Sequence, residues 1–390
     1  MAELTIAFVD LTGSVSVFET LGNDRATMVV TKLTQWIGAT GVEHGGTVVK
    51  MLGDGVLMSF PTNRLAVDAM VQIQQEHAKR VAQWPNRLKL QMQIGMARGQ
   101  VVVVDGDCFG DAVNVASRLS DLAGPEQIMA TPRSILITGC SSGIGHDAAH
   151  GLKARGWRVF ATCRSEADCE RLRAEGLESF VLDYANEASV AAAVEEVRHR
   201  TGGRLDALYN NGAFACPGAT EDLPRGALRE IFEVNLFGYH DLTRRVIPMM
   251  RAQGHGRIIN CSSVLGLVGM KWRGAYVATK FALEGLTDVL RIEMKGTGIE
   301  VVLIEPGPIP TRIRQNSIPH FERWIDWKHS ARAEEYRQLL GRLYEPKSGP
   351  DLFELPCSAV TAKLIRALES PRPRPRYYVT NATHLMGLAR

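Results

Sequence analysis

The sequence predicts an α+β domain over residues 1–131, followed by an α/β domain with a doubly wound parallel sheet over residues 132–390. Two observations predict this division. In the first third, segments with strand and helix periodicity follow each other in the order βαββαβ. From Ser134 onward, short apolar runs alternate with helical segments, which is typical of repeated βα units and a parallel sheet. No flexible linker separates the two patterns, so we expect the second domain to begin where the first ends.

The composition narrows the class of protein. A hydrophobic fraction of 45% and a charged fraction of 22% are typical of a soluble globular protein. The net charge of +3 is too small to indicate nucleic-acid binding, and no basic patch is interleaved with aromatic residues. The seven cysteines show no metal-ligand spacing, which predicts reduced thiols and a cytoplasmic location. We expect neither a signal peptide nor a membrane span.

The first domain is expected to be a ferredoxin-like α+β unit. Its first strand ends at Asp10, and a hairpin turns at Leu52-Gly53-Asp54-Gly55. The predicted strands are Leu4–Val9, Gly45–Lys50, Val56–Phe60, Leu88–Ala97 and Gln100–Asp105, and the predicted helices are Asp24–Thr40, Arg64–Ala82 and Asp111–Leu122.

Two carboxylates of this domain are candidate metal ligands. Asp10 at a strand end and Asp54 at a hairpin tip are predicted to lie side by side. Hard oxygen ligands of this kind suit Mg²⁺ that is bound together with substrate phosphates. Both residues are also explained as ordinary turn residues, because aspartate favours turns.

Three segments carry further polar residues at defined spacing: Phe8–Ser14, Lys50–Gly55 and Asp107–Arg118. Together they resemble the class III nucleotide cyclase catalytic domain over about residues 3–131. The resemblance implies that Asp10 and Asp54 bind Mg²⁺ or Mn²⁺, that Lys50 and Asp107 read adenine, and that Asn114 and Arg118 handle the ribose and the developing phosphate charge. The Lys/Asp pair implies ATP as the substrate and cyclic AMP as the product.

The cyclase-like segment departs from the family in one respect. The family's domain continues past the region 124–128 with strands that complete its sheet, whereas here the next strand already belongs to the second domain. Family members also build their site across a dimer. Two interpretations therefore stay open: an active cyclase that pairs with a second copy, or a dimerisation or nucleotide-binding appendage.

The second domain is predicted to be a Rossmann-type fold, in which ligands bind at the carboxyl ends of the strands. Its predicted strands are Ser134–Ile137, Trp157–Thr162, Phe180–Leu182, Leu205–Tyr209, Gly256–Asn260 and Ile299–Ile304, with Tyr377–Val379 as a possible edge strand. Helices are predicted at His146–Leu152, Val190–Arg200, Leu228–Met250 and Tyr276–Lys295.

A glycine-rich turn follows the first of these strands. Gly139, Gly143 and Gly145 allow a tight turn and let the backbone approach a pyrophosphate at the N-terminus of the next helix. An ordinary strand-to-helix turn would explain the glycines equally well.

Tyr276 and Lys280 share a helix face at a spacing of four residues, although a chance pair on a helix surface would have the same spacing. A nearby ammonium and the positive nicotinamide ring of a cofactor both favour the phenolate, so we expect a lowered pKa and a tyrosine that exchanges a proton with an alcohol. Ser263 follows a strand and could bond the substrate oxygen; alternatively, it caps a turn. Asn235 lies inside a predicted helix, where asparagine is unfavourable, and a kink with a water relay or chance would explain it.

These residues, with the Asn210-Asn211 pair and Pro306-Gly307, resemble the short-chain dehydrogenase/reductase family over about residues 134–370. The resemblance implies that Tyr276 is the general acid/base and that Lys280 lowers its pKa and holds the nicotinamide ribose. It implies that Ser263 orients the substrate carbonyl and that Asn235 maintains a proton relay.

The same resemblance implies a dinucleotide site. Asp183 would contact adenine, Asn210 would support the cofactor wall and Thr311 would reach the carboxamide. The full implied set is Thr138, Gly139, Ser141, Ser142, Gly143, Ile144, Gly145, Arg164, Asp183, Asn210, Tyr276, Lys280, Pro306, Gly307 and Thr311. The family's usual Asn-Asn-Ala-Gly order reads Asn-Asn-Gly-Ala here, and we expect little effect because both residues are small.

Arg164 at the end of the second strand predicts the coenzyme. An acidic residue there would accept the ribose hydroxyls of NAD, whereas an arginine pairs with the 2′-phosphate of NADP. A solvated surface arginine is the alternative.

The aromatic residues of 308–343 suggest a lipophilic alcohol or ketone substrate, or else a helix pair packed on the core. The first hypothesis is therefore an NADP-dependent alcohol/ketone oxidoreductase, as a homodimer or homotetramer. The second is a signalling adenylate cyclase with an accessory reductase domain.

Overall fold

The computed structural model describes residues 2–345 and 349–388, and the chain forms two compact units, Met1–Thr131 and Pro132–Arg390. Each unit has its own sheet and its own apolar core. In the described part of the chain, no helix is both long and apolar enough to cross a bilayer.

The first unit is built on a mainly antiparallel sheet in the order β2-β3-β1-β4-β5, with β6 paired parallel to β4. The order β2-β3-β1-β4 is that of a ferredoxin-like unit, as predicted. The strands are β1 (Ala2–Thr12), β2 (Thr47–Leu52), β3 (Gly55–Phe60), β4 (Gln91–Val104), β5 (Asp107–Phe109) and β6 (Gln127–Ala130). The helices are α1 (Ser14–Leu21), α2 (Asn23–Glu43), α3 (Asn63–Val81) and α4 (Asp111–Leu122).

The structure of this unit differs from the prediction in two respects. The expected strands 88–97 and 100–105 are one continuous strand, because β1 pairs with β4 without interruption from Ala2↔Val101 to Thr12↔Gln91 and so carries it past Gly99. Helix α1 was not predicted. It begins directly after Gly13, whose φ of 86° turns the chain sharply at the end of β1.

The second unit is a seven-stranded sheet in the order β13-β12-β11-β10-β7-β8-β9, in which every neighbouring pair is parallel. The strands β7, β8 and β9 follow in order toward one edge of the sheet. The strands β10 to β13 then follow from β7 toward the other edge, so the strand order reverses between β7 and β10. The strands are β7 (Ser134–Ile137), β8 (Arg158–Cys163), β9 (Glu178–Val181), β10 (Ala207–Asn210), β11 (Gly256–Cys261), β12 (Ile299–Glu305) and β13 (Arg376–Tyr378). Ligands of doubly wound sheets bind in the crevice at such a reversal.

Helices cover both faces of this sheet, and a separate apolar cluster fills each face. The strands are therefore buried on both sides, which explains their continuous apolar runs. The helices are α5 (Gly143–Lys153), α6 (Glu166–Ala174), α7 (Glu187–Thr201), α8 (Arg225–Phe232), α9 (Gly238–Ala252), α10 (Gly274–Glu293), α11 (Ile313–Trp324), α12 (Ala333–Tyr344), α13 (Cys357–Glu369) and α14 (Asn381–Leu388).

The predicted continuous helix Leu228–Met250 is interrupted. Between α8 and α9 the residues Glu233–Phe237 form a π-helical turn, which places the buried side chain of Asn235 toward the core. The apolar periodicity on both sides of this turn is helical. The sequence therefore gives little indication of the one residue that a π-helical turn adds to the helix. Such turns occur frequently at functional sites.

The edge strand β13 is joined to the core by Arg376. Its guanidinium lies 3.1 Å from Glu284, 2.6 Å from Asp288 and 3.2 Å from Glu305. Glu305 is fully buried at the end of β12. Burial, together with repulsion from Glu284, outweighs the attraction of Arg376 and raises the pKa of Glu305 to about 9.

Glu305→Gln tests this burial. The folded chain keeps a proton on Glu305 that the unfolded chain releases at lower pH, so the stabilisation is complete in acid and is lost as the pH rises toward 9. We expect the free energy of unfolding of Glu305→Gln, relative to wild type, to increase between about pH 5 and pH 9 in denaturant titrations. Glu300→Gln, on an exposed position of the same strand, is the control. An unchanged difference across this range would contradict the buried, protonated state.

Candidate active site

The turn between β7 and α5 is held in a conformation that requires glycine. Gly139 and Gly143 have φ values of 68° and 61°, in the left-handed region. A Cβ atom on Gly139 would lie 2.6 Å from the Cα of Gly212, and one on Gly145 would lie 2.7 Å from Nδ2 of Asn211. The turn therefore packs tightly against the segment that follows β10, at the point where the strand order reverses.

Thr138 joins these two segments. Its hydroxyl accepts hydrogen bonds from the backbone N–H groups of Asn211 (2.9 Å) and Gly212 (3.1 Å), and Nδ2 of Asn211 donates to the Thr138 carbonyl (3.0 Å). The hydroxyl also meets the Tyr184 hydroxyl at 2.8 Å. The ends of β7 and β10 are thus fixed relative to each other.

The predicted support of the cofactor wall by Asn210 stays a prediction, and the structure shows which protein groups this side chain contacts. Its side chain is fully buried, accepts from the Tyr184 hydroxyl (2.6 Å) and donates to Thr243 (3.0 Å) and Asn260 (2.8 Å). A side chain with these partners cannot touch a bound ligand, so Asn210 is a positioning residue. Asn211, which the prediction did not assign a role, holds the glycine turn directly.

The remaining predicted cofactor residues lie at the carboxyl edge of the sheet. Ser141 and Ser142 precede α5, and the side chain of Ser142 caps no backbone N–H in the described part of the chain. The first-turn N–H groups of α5 therefore still need acceptors, which suits an anion. Ile144, in this turn, packs partly buried against the core. Thr311 lies against Gly143, at 3.1 Å from the position of a Cβ there.

Pro306 and Gly307 continue β12 into this edge. The Pro306 carbonyl accepts a hydrogen bond from the N–H of Val264 (2.8 Å), which ties the ends of β11 and β12 together. A Cβ on Gly307 would collide with the hydroxyl of Thr380. Arg164 is exposed directly after β8, and Asp183 is half-buried after β9 with its carboxylate bonded to the N–H of Ala185 (3.0 Å).

Tyr276, Ser263 and Lys280 come together beside this edge. Tyr276 is in the first turn of α10 and is only 9% exposed, and the Ser263 side chain lies close enough to its hydroxyl to act on its pKa. Nζ of Lys280 donates to the carbonyl of Cys261 (2.8 Å) and lies 5.5 Å from the centre of the Tyr276 ring. The oxygen atoms of Tyr276 and Ser263 can therefore bond one substrate oxygen together.

The predicted lowering of the Tyr276 pKa is wrong for these protein groups alone. Burial raises the pKa of Tyr276 above its ordinary value, and the bond to Ser263 and the charge of Arg273 only partly oppose this rise. Burial also lowers the pKa of Lys280 to about 8. The Tyr276 pKa is not lowered as predicted, because the Lys280 ammonium is directed at the Cys261 carbonyl rather than at the phenol.

Asn235 holds the loop after β10 against α10. Its amide donates to the Phe214 carbonyl (2.9 Å) and to the Thr279 hydroxyl (3.3 Å), and its oxygen accepts from the Phe214 N–H (3.1 Å). Thr279 in turn donates to the carbonyl of Tyr276 (2.8 Å). The π-helical turn therefore positions Tyr276, and the predicted proton relay through Asn235 stays a prediction.

The first unit brings its predicted adenine-reading residues together. Nζ of Lys50 lies 3.1 Å from Oδ2 of Asp107, and this contact lowers the pKa of Asp107. Asn114 and Arg118 are exposed one turn apart on α4. All four polar groups are available to a ligand.

Asp10 and Asp54 lie close together at one end of the first sheet. Asp10 pairs in register with Gly55, and Oδ2 of Asp54 accepts a hydrogen bond from the Ser14 hydroxyl (2.8 Å). Burial, then the charges of Asp54 and Asp121, raise the pKa of Asp10. Mutual repulsion of this kind is relieved by a divalent cation, so this donor set fits Mg²⁺ or Mn²⁺.

Known proteins match both halves of the chain. Residues 133–321 match the short chain dehydrogenase family, and residues 1–155 match the adenylate and guanylate cyclase catalytic domain. An uncharacterized oxidoreductase of Escherichia coli, YbbO, is 39% identical over 251 residues, which cover 64% of this chain and 87% of the relative. The chain belongs to the short-chain dehydrogenase family. Its N-terminal part carries a cyclase catalytic domain in front of this dehydrogenase, in the predicted order.

Two further matches fall on the dehydrogenase part. Human retinol dehydrogenase 16 is 34% identical over 259 residues, covering 62% of this chain and 79% of the relative. The crystal structure of a short-chain dehydrogenase from Burkholderia phymatum in complex with NAD has a TM-score of 0.56 and 25% identity, covering 66% of this chain and 91% of that one. The fold and the family are thus shown by independent comparisons.

The two family matches overlap at residues 133–155, and the structure assigns that stretch to the dehydrogenase unit. Strand β7 and helix α5 pair and pack within the parallel sheet. The cyclase-like sheet ends at β6 instead. The expectation that the cyclase domain is shortened at its C-terminal end stays a prediction.

The aromatic side chains of residues 308–343 are used mainly in packing. Phe321 and Tyr336 are fully buried in a cluster of α11 and α12 with Ile325 and Leu339. The Tyr336 hydroxyl accepts from the N–H of Ala219 (2.8 Å) and donates to Asp222 (2.8 Å). The helix-pair alternative therefore accounts for most of these aromatics.

The prediction missed residues that act through tertiary contacts. Tyr184, Asn211 and Phe214 each contact a predicted site residue, and His320 of α11 stacks on Phe214 with ring centres 3.8 Å apart. Only Asn211 had a signal in the sequence, as the neighbour of Asn210.

Proposed function

We propose that this dehydrogenase is an NADP-dependent oxidoreductase that interconverts a lipophilic alcohol and its ketone or aldehyde. The observation that carries the proposal is that the hydroxyls of Tyr276 and Ser263 lie beside each other next to the buried Lys280. Two such oxygens hold a carbonyl oxygen in place and supply its proton.

The residues present fit a nicotinamide dinucleotide, which supplies or accepts the hydride when it is bound. The glycine turn leaves room for a pyrophosphate, and the uncapped first turn of α5 offers N–H donors to it. Arg164 would pair with a 2′-phosphate, and Asp183 would face the adenine. Thr311 and the Pro306-Gly307 segment would lie along the nicotinamide end.

Tyr276 carries the proton. Because burial keeps its pKa high, the phenol is protonated in the protein at neutral pH. The Tyr276 O–H would donate its proton to the carbonyl oxygen of the substrate, and Ser263 would hold that oxygen by a hydrogen bond. This protonation state favours carbonyl reduction, and the reverse reaction requires additional positive charge beside the phenol.

The lipophilic substrate class rests on two supports. One relative is named a retinol dehydrogenase. The other is that Tyr276 belongs to the same buried apolar cluster as Phe214, and Leu265 packs against this cluster. Most of the aromatic side chains of residues 308–343 do not support a lipophilic substrate, because they pack against each other.

Tyr276→Phe should abolish turnover. Removing the hydroxyl removes the proton donor but keeps the ring packing, so we expect a loss of at least about 100-fold in NADPH consumption with retinal as the carbonyl substrate. Tyr344→Phe changes an exposed tyrosine on α12 and is the matched control. Turnover by Tyr276→Phe at the rate of Tyr344→Phe would contradict the mechanism.

We also infer that the first unit converts ATP to cyclic AMP in a homodimer. The Lys50–Asp107 ion pair and the Asp10–Asp54 carboxylates favour this function, because they bring the adenine-reading and metal-binding groups into position in one unit. The exposed Asn114 and Arg118 would act on ATP held by a second copy. An adenylate cyclase with an accessory reductase, and an inactive dimerisation appendage, are the alternatives.

Asp54→Ala separates these alternatives. With ATP and Mn²⁺, we expect the wild-type chain to form cyclic AMP and Asp54→Ala to lose this activity, since half of the metal-binding carboxylates are removed. Asp24→Ala, an exposed aspartate of α2, is the control. Equal cyclic AMP formation by wild type and Asp54→Ala would contradict the metal-binding role of Asp54, and no cyclic AMP formation by wild type would favour the inactive appendage.

A further inference from the structure

Three side chains outside the proposed reaction meet on the surface of the second unit. His146 and His150 lie one turn apart on α5, and Glu175 follows the end of α6. Each imidazole has its Nε2 atom 2.7 Å from the same carboxylate oxygen, Oε2 of Glu175. The two imidazole ring centres are 4.6 Å apart.

This donor set is chemically specific. Two histidines at a spacing of four residues present their nitrogens on one side of a helix, and the carboxylate comes from a different element. The three potential ligand atoms lie within 4.8 Å of one another. The side chains are about one-third exposed, at 37%, 38% and 29%, so a cation can reach them from solvent.

The charges around the three residues leave the carboxylate available. Arg171 lies 3.7 Å from the other carboxylate oxygen, but its guanidinium also pairs with Asp168 (3.0 Å) and donates to the Ser141 carbonyl (2.6 Å). The Lys153 ammonium donates to the Gly176 carbonyl (2.7 Å).

We propose that His146, His150 and Glu175 form a binding site for a divalent transition-metal ion of the zinc class. Two imidazole nitrogens and one carboxylate oxygen match the ligands of Zn²⁺ and leave one tetrahedral position for water. Mg²⁺ and Ca²⁺ prefer sites made of oxygen ligands and are excluded by the two nitrogens. The proposal does not depend on the oxidoreductase or cyclase activity.

A metal at this site joins α5 to the end of α6. Helix α5 is the one whose first turn follows the glycine loop, and Arg171 already connects α6 to that loop through Ser141. Because the site is assembled only in the folded chain, an ion that binds there stabilises the dehydrogenase unit against unfolding.

Calorimetric titration of the full-length chain with Zn²⁺ tests the site. To remove the carboxylate pair of the first unit from the count, the titrations use the Asp54→Ala chain. We expect one Zn²⁺ to bind, and His146→Ala/His150→Ala or Glu175→Gln to weaken that binding by at least about tenfold. His199→Ala, an exposed histidine on α7, should bind as the parent does. Mg²⁺ should not compete.

A second measurement does not require a variant. Modification of histidines by diethyl pyrocarbonate, read by mass spectrometry, should be slowed at His146 and His150 when Zn²⁺ is present and unchanged at His199. Equal Zn²⁺ binding by the parent and the double variant, no binding by the parent, or unchanged modification of His146 and His150 would each overturn the proposal.

Discussion

The arrangement of the dehydrogenase site depends on one buried cation. Lys280 donates to the carbonyl of Cys261 at the end of β11, and this bond holds α10 against the carboxyl edge of the sheet. Ser263 lies two residues beyond that carbonyl, and Tyr276 lies one turn before Lys280. Because a buried ammonium must be hydrogen-bonded, the contact also holds the helix that carries Tyr276 beside the strand end that Ser263 follows.

The rest of the unit supports this contact through neutral hydrogen bonds. Asn235, in the π-helical turn, bonds Phe214 and Thr279, and Thr279 bonds the backbone of Tyr276. On the other side of the sheet reversal, Thr138 and Asn211 lock the glycine turn to the end of β10. The proposed hydride-transfer site and the glycine turn are thus held by two hydrogen-bond networks.

The sequence predicts the order of elements well because each βα unit is a local pattern. Short, largely apolar strands, glycine turns and helix periodicity are all visible without tertiary structure. Many of the predicted site residues also lie at strand ends, which the sequence pattern marks. What the sequence does not predict depends on partners distant in the chain: the π-helical turn at Asn235, the unbroken β4, and the role of Asn210.

The predicted direction of the Tyr276 pKa shift is wrong for a reason that the sequence does not reveal. A spacing of four residues predicts that Lys280 shares a helix face with Tyr276, and it does. The spacing cannot show that a backbone carbonyl on another strand takes the ammonium, nor that the phenol is almost fully buried. Desolvation then outweighs the charge effect, and the proposed direction of proton transfer changes with it.

The most direct test of the account is a fluorescence titration with NADPH. A Cβ on Gly145 would intrude on Asn211 and the glycine turn, whereas one on Gly285 in α10 meets no described atom within 4 Å. We expect wild type and Gly285→Ala to bind NADPH equally, more tightly than NADH because of Arg164, and Gly145→Ala to bind NADPH at least about tenfold more weakly. Failure of wild type to bind NADPH, or equal affinity in Gly145→Ala, would contradict the assignment of this turn as the cofactor site.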